Sequence, residues 1–130
     1  MQKRPVLHLP PTARETGIQI TTVIVLILAW VMAAQYYRDL PDTIATHFNF
    51  SGQVDGYGSK KTIFIMPAVA TIIAVALALL SRIPHQFNYL ATITEANAES
   101  QYRGGRMMLF VIGLLVALLA VWAVWGMAKG

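Results

Sequence analysis

The chain has 130 residues, of which 56% are hydrophobic and only 12% charged. That is about half the charged share of soluble domains (~25%), too little to cover so much apolar surface in water. One domain fits this length. The absence of cysteine excludes disulfides, thiolate metal sites and cysteine nucleophiles. A net charge of +4 could serve nucleic acid or an anionic membrane. The basic residues, however, sit at the ends of apolar runs, with no basic stripe interleaved with aromatics, so nucleic acid is not an expected partner.

Residues 1–17 form a basic arm (Lys3, Arg4, Arg14) interrupted by Pro5, Pro10 and Pro11. Proline removes backbone donors and blocks a continuous helix. The arm therefore reads as disordered, or extended until a partner orders it, with His8 solvated. Three uncharged apolar runs follow, at 18–37, 62–81 and 107–128, each long enough to cross ~30 Å of hydrocarbon at about 1.5 Å per residue. In the second run, ten Ile, Phe, Val or Leu residues favour insertion by about 3–6 kcal/mol in total. Pro67 lies in its first turns, where a missing donor matters least. The first run is long for a signal-peptide core and reads as a retained signal anchor.

The expected fold is all-α: three transmembrane helices in one domain, 18–130, with a short structured extramembrane cap between helices one and two. A surface helix is expected before helix three. Small residues at four-residue spacing (Ala29 and Ala33; Ala70, Ala74 and Ala78; Gly113 and Ala117) mark candidate helix-packing seams. Six Lys or Arg residues flank the runs on the side of the arm and the 82–106 loop, against four on the other. This bias puts the N-terminus in the cytoplasm and the C-terminus outside. Trp30, Tyr36, Tyr37, Trp122 and Trp125 then fall toward the outer interface. No ionisable residue lies within the three runs, which argues against an ion path, a proton relay or a haem ligand.

The segment 40–60 (LPDTIATHFNFSGQVDGYGSK) is the least linker-like polar stretch. Pro41 suits the start of a short helical turn, and Leu40, Ile44 and Phe48 recur every four residues as one apolar stripe. Ser51-Gly52 and Asp55-Gly56 are turn dipeptides, predicting a tight reversal or short hairpin after Phe48. Leu40, Pro41, Ile44, His47, Phe48, Gly52, Asp55 and Lys60 together resemble the hallmark of a bacterial membrane domain of unknown function, the 1648 family. That domain also forms the N-terminal part of SdpI-like immunity proteins. Ala45 stands where the family commonly has proline. The loop 84–103 is likewise similar to short stand-alone members, so the resemblance covers roughly 37–128. It implies membership but no defined activity.

In that loop, Thr92 and Glu95 have capping-box spacing, predicting a surface helix that Gly104-Gly105 breaks or bends before span three. His85, between proline and aromatics, reads as an interfacial loop residue. His47 and Asp55 could share a divalent cation with help from Asp39, Asp42 or Asn49, or could bond each other or nearby amides to hold the reversal. Catalysis by His47 would need a nucleophile and an orienting partner. Ser51 and Asp55 have no such spacing, and no catalytic residue or cofactor is expected. The leading expectation is a non-catalytic accessory or partner-binding subunit of a bacterial inner-membrane complex, in contact with lipids and other integral membrane subunits. The alternatives are an immunity or sensory protein of the SdpI-like type, implied by the resemblance, and a divalent-metal binder using the 40–60 loop.

Overall fold

A computed structural model of the chain describes residues 3–129. Its elements are α1 (Ala13–Asp39), β1 (Thr43–Phe48), β2 (Val54–Ser59), a 3-10 turn (Lys60–Phe64), α2 (Ile65–Leu80), a second 3-10 turn (Pro84–Gln86) and α3 (Ala98–Lys129). Three helices, the second taken together with its 3-10 turn as Lys60–Leu80, are long and apolar enough to span a membrane, and the protein is a multi-pass membrane protein. Side chains such as Ile24, Ile27, Ile72, Val75, Leu115 and Leu119 face outward. That surface would be a liability in water and is the ordinary lining of a lipid-facing bundle.

α1 begins five residues before the apolar run because Thr12 and Glu15 form a capping box. Glu15 N donates to Thr12 Oγ1 (3.2 Å) and Thr12 N to Glu15 Oε1 (3.1 Å). α2 is entered through the 3-10 turn, which Ser59 caps, and Pro67 falls among its first unpaired amides. Trp30 Nε1 donates to Thr71 Oγ1 (3.0 Å), tying α1 to α2.

α3 is the spine of the bundle. Its buried residues Tyr102, Arg106, Phe110, Gly113, Ala117, Ala120, Val124 and Met127 step by three or four, one continuous stripe against which α1 and α2 both pack. Three clusters stack along it. Leu26, Ala29, Ala70, Ala117 and Ala120 form the middle. Ala33, Ile44, Ile63, Val124 and Met127 lie beneath the hairpin, and Ile93, Ala98 and Tyr102 lie beneath the arm. Of the small residues at four-residue spacing, Ala29, Ala33, Ala70, Gly113 and Ala117 are buried; Ala74 and Ala78 are half-buried at the mouth between α1 and α2.

Three expectations are corrected. The fold is not all-α, because 43–59 is an antiparallel hairpin. A four-residue spacing of Leu40, Ile44 and Phe48 satisfies the strand period of two as well as a helical turn, and the β-branched Thr43, Ile44 and Thr46 favour the strand. The surface helix is not separate: α3 runs unbroken through Gly104-Gly105 for 32 residues, about 48 Å, well beyond the hydrocarbon thickness of ~30 Å. Its first turn is set by Thr94 and Asn97, which bond each other's amides (2.7 and 3.3 Å), while the box of Thr92 with Glu95 does not form. The arm is ordered within the chain itself. Its proline-rich backbone leaves carbonyls free, and those of Pro5, Leu9 and Pro10 accept from Tyr102, Arg106 and Arg103.

The two glycines of α3 differ in their surroundings. A Cβ on Gly104 would meet nothing within 4 Å, whereas one on Gly105 would lie 3.0 Å from both Phe87 and Tyr89. Gly104→Ala is therefore expected to raise stability by up to about 1 kcal/mol. Gly105→Leu is expected to cost about 1–3 kcal/mol by displacing those rings. Thermal unfolding in detergent reads both, and equal effects would mean that the loop does not pack on α3.

Candidate functional site

The hairpin is built by the eight residues of the 40–60 pattern. Leu40 closes α1, its N–H donating to Tyr36 O (3.1 Å), and the exposed Pro41 stands between bends at Leu40 and Asp42, not in a helical turn. Ile44 is buried against Ile63 and Val124, anchoring β1 to the bundle. Pairing runs Thr43 with Ser59, Ile44 with Gly58 and Ala45 with Tyr57, then shifts so that His47 faces Gly56 and Phe48 faces Val54. The two β2 glycines admit this close approach: a Cβ at Gly56 would lie 3.2 Å from His47 Cβ, and one at Gly58 3.1 Å from Thr46 Cγ2. At the tip, Asn49 Oδ1 accepts from the amides of Ser51 and Gln53 (both 3.0 Å), and Gly52 takes a left-handed φ of 80°. Lys60 lies over the Tyr37 ring (4.4 Å) and donates to Tyr37 O (3.4 Å), pinning the end of β2 to the end of α1.

His47 Nδ1 and Asp55 Oδ1 form a hydrogen-bonded pair across the hairpin, with side chains 71% and 42% exposed. No third ligand converges on them: among the described residues no group of three or more His, Cys, Asp or Glu side chains could hold a metal. Asn49 is committed to the tip. Because an exposed pair is screened by water, His47→Ala is expected to cost less than about 1 kcal/mol. Added zinc should leave the melting temperature of the parent unchanged; a zinc-dependent rise lost in the variant would overturn this reading.

Between the hairpin and the last turns of α3 lies a cleft of about 700 Å³, lined by Thr46, His47, Phe50, Trp122, Trp125 and Met127 among others. Phe50 is fully exposed at the tip, and Trp122 and Trp125 are 65% and 49% exposed. Such aromatics suit either a membrane interface or a protein partner.

The opposite end holds residues that sequence reasoning missed. Glu15 and Arg106 are buried together, with Arg106 Nε and Nη2 donating to Glu15 Oε2 (2.9 and 2.6 Å) and Nη1 donating to Leu9 O (2.9 Å). Arg103 Nη1 lies 3.6 Å from Glu15 Oε1. Arg4 donates to the carbonyls of His85 and Phe87 and lies over the Tyr89 ring (5.5 Å). Burial pushes the Tyr89 hydroxyl above the ordinary phenol range, helped by Tyr102 and opposed by Arg4. His85 sits half-buried in the second 3-10 turn, and His8 is exposed. The available signal was the Thr12-x-x-Glu15 spacing, a capping-box signature upstream of the first run.

The family model of the domain of unknown function DUF1648 matches residues 24–71, from within α1 through the hairpin into α2. The second loop and α3 lie outside that match. An uncharacterised protein of Archaeoglobus fulgidus is 31% identical over 76 residues, 57% of this chain and 42% of the relative. The chain thus spans less than half the length of that relative. No solved structure matches the chain.

Proposed function

We propose, from the premise that residues 24–71 match the DUF1648 family model within a multi-pass membrane protein, that the chain is a non-catalytic, partner-binding subunit of a larger bacterial inner-membrane complex. The observation that carries this reading is the cleft between hairpin and α3, whose exposed Phe50, Trp122 and Trp125 form a contact surface without a convergent set of reactive groups. The pattern residues support it: Ile44, Gly52 and Lys60 hold the hairpin's shape, and His47 is engaged by Asp55. The six-to-four distribution of Lys and Arg supports a cytoplasmic N-terminus, with the hairpin and C-terminus outside.

The test is purification of the tagged chain from native membranes in mild detergent, with quantitative mass spectrometry of what co-migrates. The reading expects one integral membrane protein at fixed stoichiometry, lost in a Phe50→Asp/Trp122→Ala variant that still inserts. If the chain runs alone and resistance to a membrane toxin tracks its expression, the SdpI-like immunity reading replaces this one. Bound metal that disappears in His47→Ala would favour the metal-binding reading instead.

A further inference from the structure

α1 and α2 both pack along α3 but touch each other sparingly, which leaves a crevice of about 170 Å³ between them. Val23 and Leu26 form one wall, Ala74 and Ala78 the other, and Phe110 and Gly113 the floor. Val23 and Leu26 share a face of α1 with Gln19, so the crevice runs about 10 Å along the helix, from Gln19 toward mid-bundle. At its lower end it meets a second cavity of about 580 Å³ under the arm, which shares Gln19, Ala78 and Phe110 and adds His8, Arg82 and Arg106. An apolar slot open toward lipid therefore continues into a chamber that carries Gln19, Arg82 and Arg106 at the level of the helix ends.

The charges of the chamber are unequal in their commitments. Arg106 is neutralised by Glu15. Arg82, exposed just past the end of α2, has no ion-pair partner among the described residues, and the Gln19 amide makes no side-chain hydrogen bond to them. This end of the molecule carries six basic residues against three acidic ones (Glu15, Glu95 and Glu99). A free cation, an uncommitted amide donor and a contiguous hydrocarbon slot complement a molecule that is anionic at one end and aliphatic at the other.

We infer that this groove binds one anionic phospholipid, with an acyl chain between α1 and α2 and its phosphate against Arg82 and Gln19. Basic pockets between membrane helices recognise anionic headgroups through the same combination of charge and neighbouring hydrocarbon. The smallness of Ala74 and Ala78 keeps the slot open, and the splay of α1 from α2 lets the chain enter sideways from the bilayer.

The test titrates the delipidated full chain in maltoside detergent with phosphatidylglycerol, phosphatidylcholine or inorganic phosphate, read by native mass spectrometry. The expected result is a single phosphatidylglycerol adduct, favoured about fivefold over phosphatidylcholine, the effect of one basic side chain at an anionic surface. Phosphate should not displace it. Arg82→Gln, at an exposed position, is expected to remove the headgroup preference. Ala78→Phe should weaken both lipids alike; if it fails to fold, Arg82→Gln decides alone. Equal binding of the two lipids by the parent chain, or a preference that survives Arg82→Gln, overturns the inference. Displacement by phosphate overturns it too, in favour of a free-anion site.

Discussion

Glu15→Ala is expected to lower the unfolding free energy by about 3–5 kcal/mol, among the largest losses from a single substitution outside the bundle centre. The cause is what remains: Arg106, 8% exposed, keeps its Leu9 contact but loses the carboxylate that takes two of its donors. Thr12 also loses the acceptor for its amide, so the start of α1 frays with it. Glu15→Met combined with Arg106→Met should recover most of the loss, because removing both charges also removes the need to desolvate them. Reversible unfolding in mixed micelles measures the set. A single variant within about 1 kcal/mol of the parent, or a double variant no better than the sum of the singles, would show that the pair is not buried as described.

Tyr102→Ala is expected to cost about 3–5 kcal/mol, the usual range for removing a buried aromatic. Its side chain is fully buried among Ile93, Ala98, Leu9 and Tyr89, and its hydroxyl donates to Pro5 O (2.8 Å). Tyr102→Phe keeps the packing and should cost only about 1 kcal/mol, the worth of one hydrogen bond. The readout that separates a local role from a general one is limited proteolysis with a broad-specificity protease. In Tyr102→Ala cleavage within 6–9 should quicken while cleavage of the hairpin stays as it was. Unchanged cleavage of the arm would mean that Tyr102 does not hold it.

The two predictions concern the end of the molecule that the sequence disclosed least. Length and hydropathy alone made the three spans legible, since ~30 Å of hydrocarbon demands about 20 apolar residues. The reversal after Phe48 was legible from its turn dipeptides. The strand before it was not, because Leu40, Ile44 and Phe48 repeat at a spacing that both periodicities satisfy. The α3 stripe was written in full from Tyr102 to Met127, but the polar residues 98–106 and the Gly104-Gly105 pair among them disguised its start. Gly105 is tolerated there because Phe87 and Tyr89 occupy the space a side chain would take. The Glu15–Arg106 pair was the hardest to see. Its members are 91 positions apart, and each lies just outside an apolar run, where a charge ordinarily serves only to orient the helix. At the hairpin, the eight-residue pattern disclosed the match over 24–71, and the structure brings His47 and Asp55 together. The aromatic cleft was invisible because Phe50 and Trp122 come to line one cleft only through the docking of the hairpin on α3.

The unbroken stripe of α3 also makes that helix a torsion shaft. Tyr102 and Arg106 grip the arm at one end, while Val124 and Met127 grip the hairpin cluster at the other, with no hinge between them. Each residue of an α-helix advances the azimuth by about 100°. Deleting one residue between Gly113 and Ala117 would leave both ends chemically intact yet rotate one grip away from its partner. Evolution can therefore vary the length of either loop far more freely than it can vary the length of α3, whose residue count is the gauge that keeps the two ends of the protein in phase.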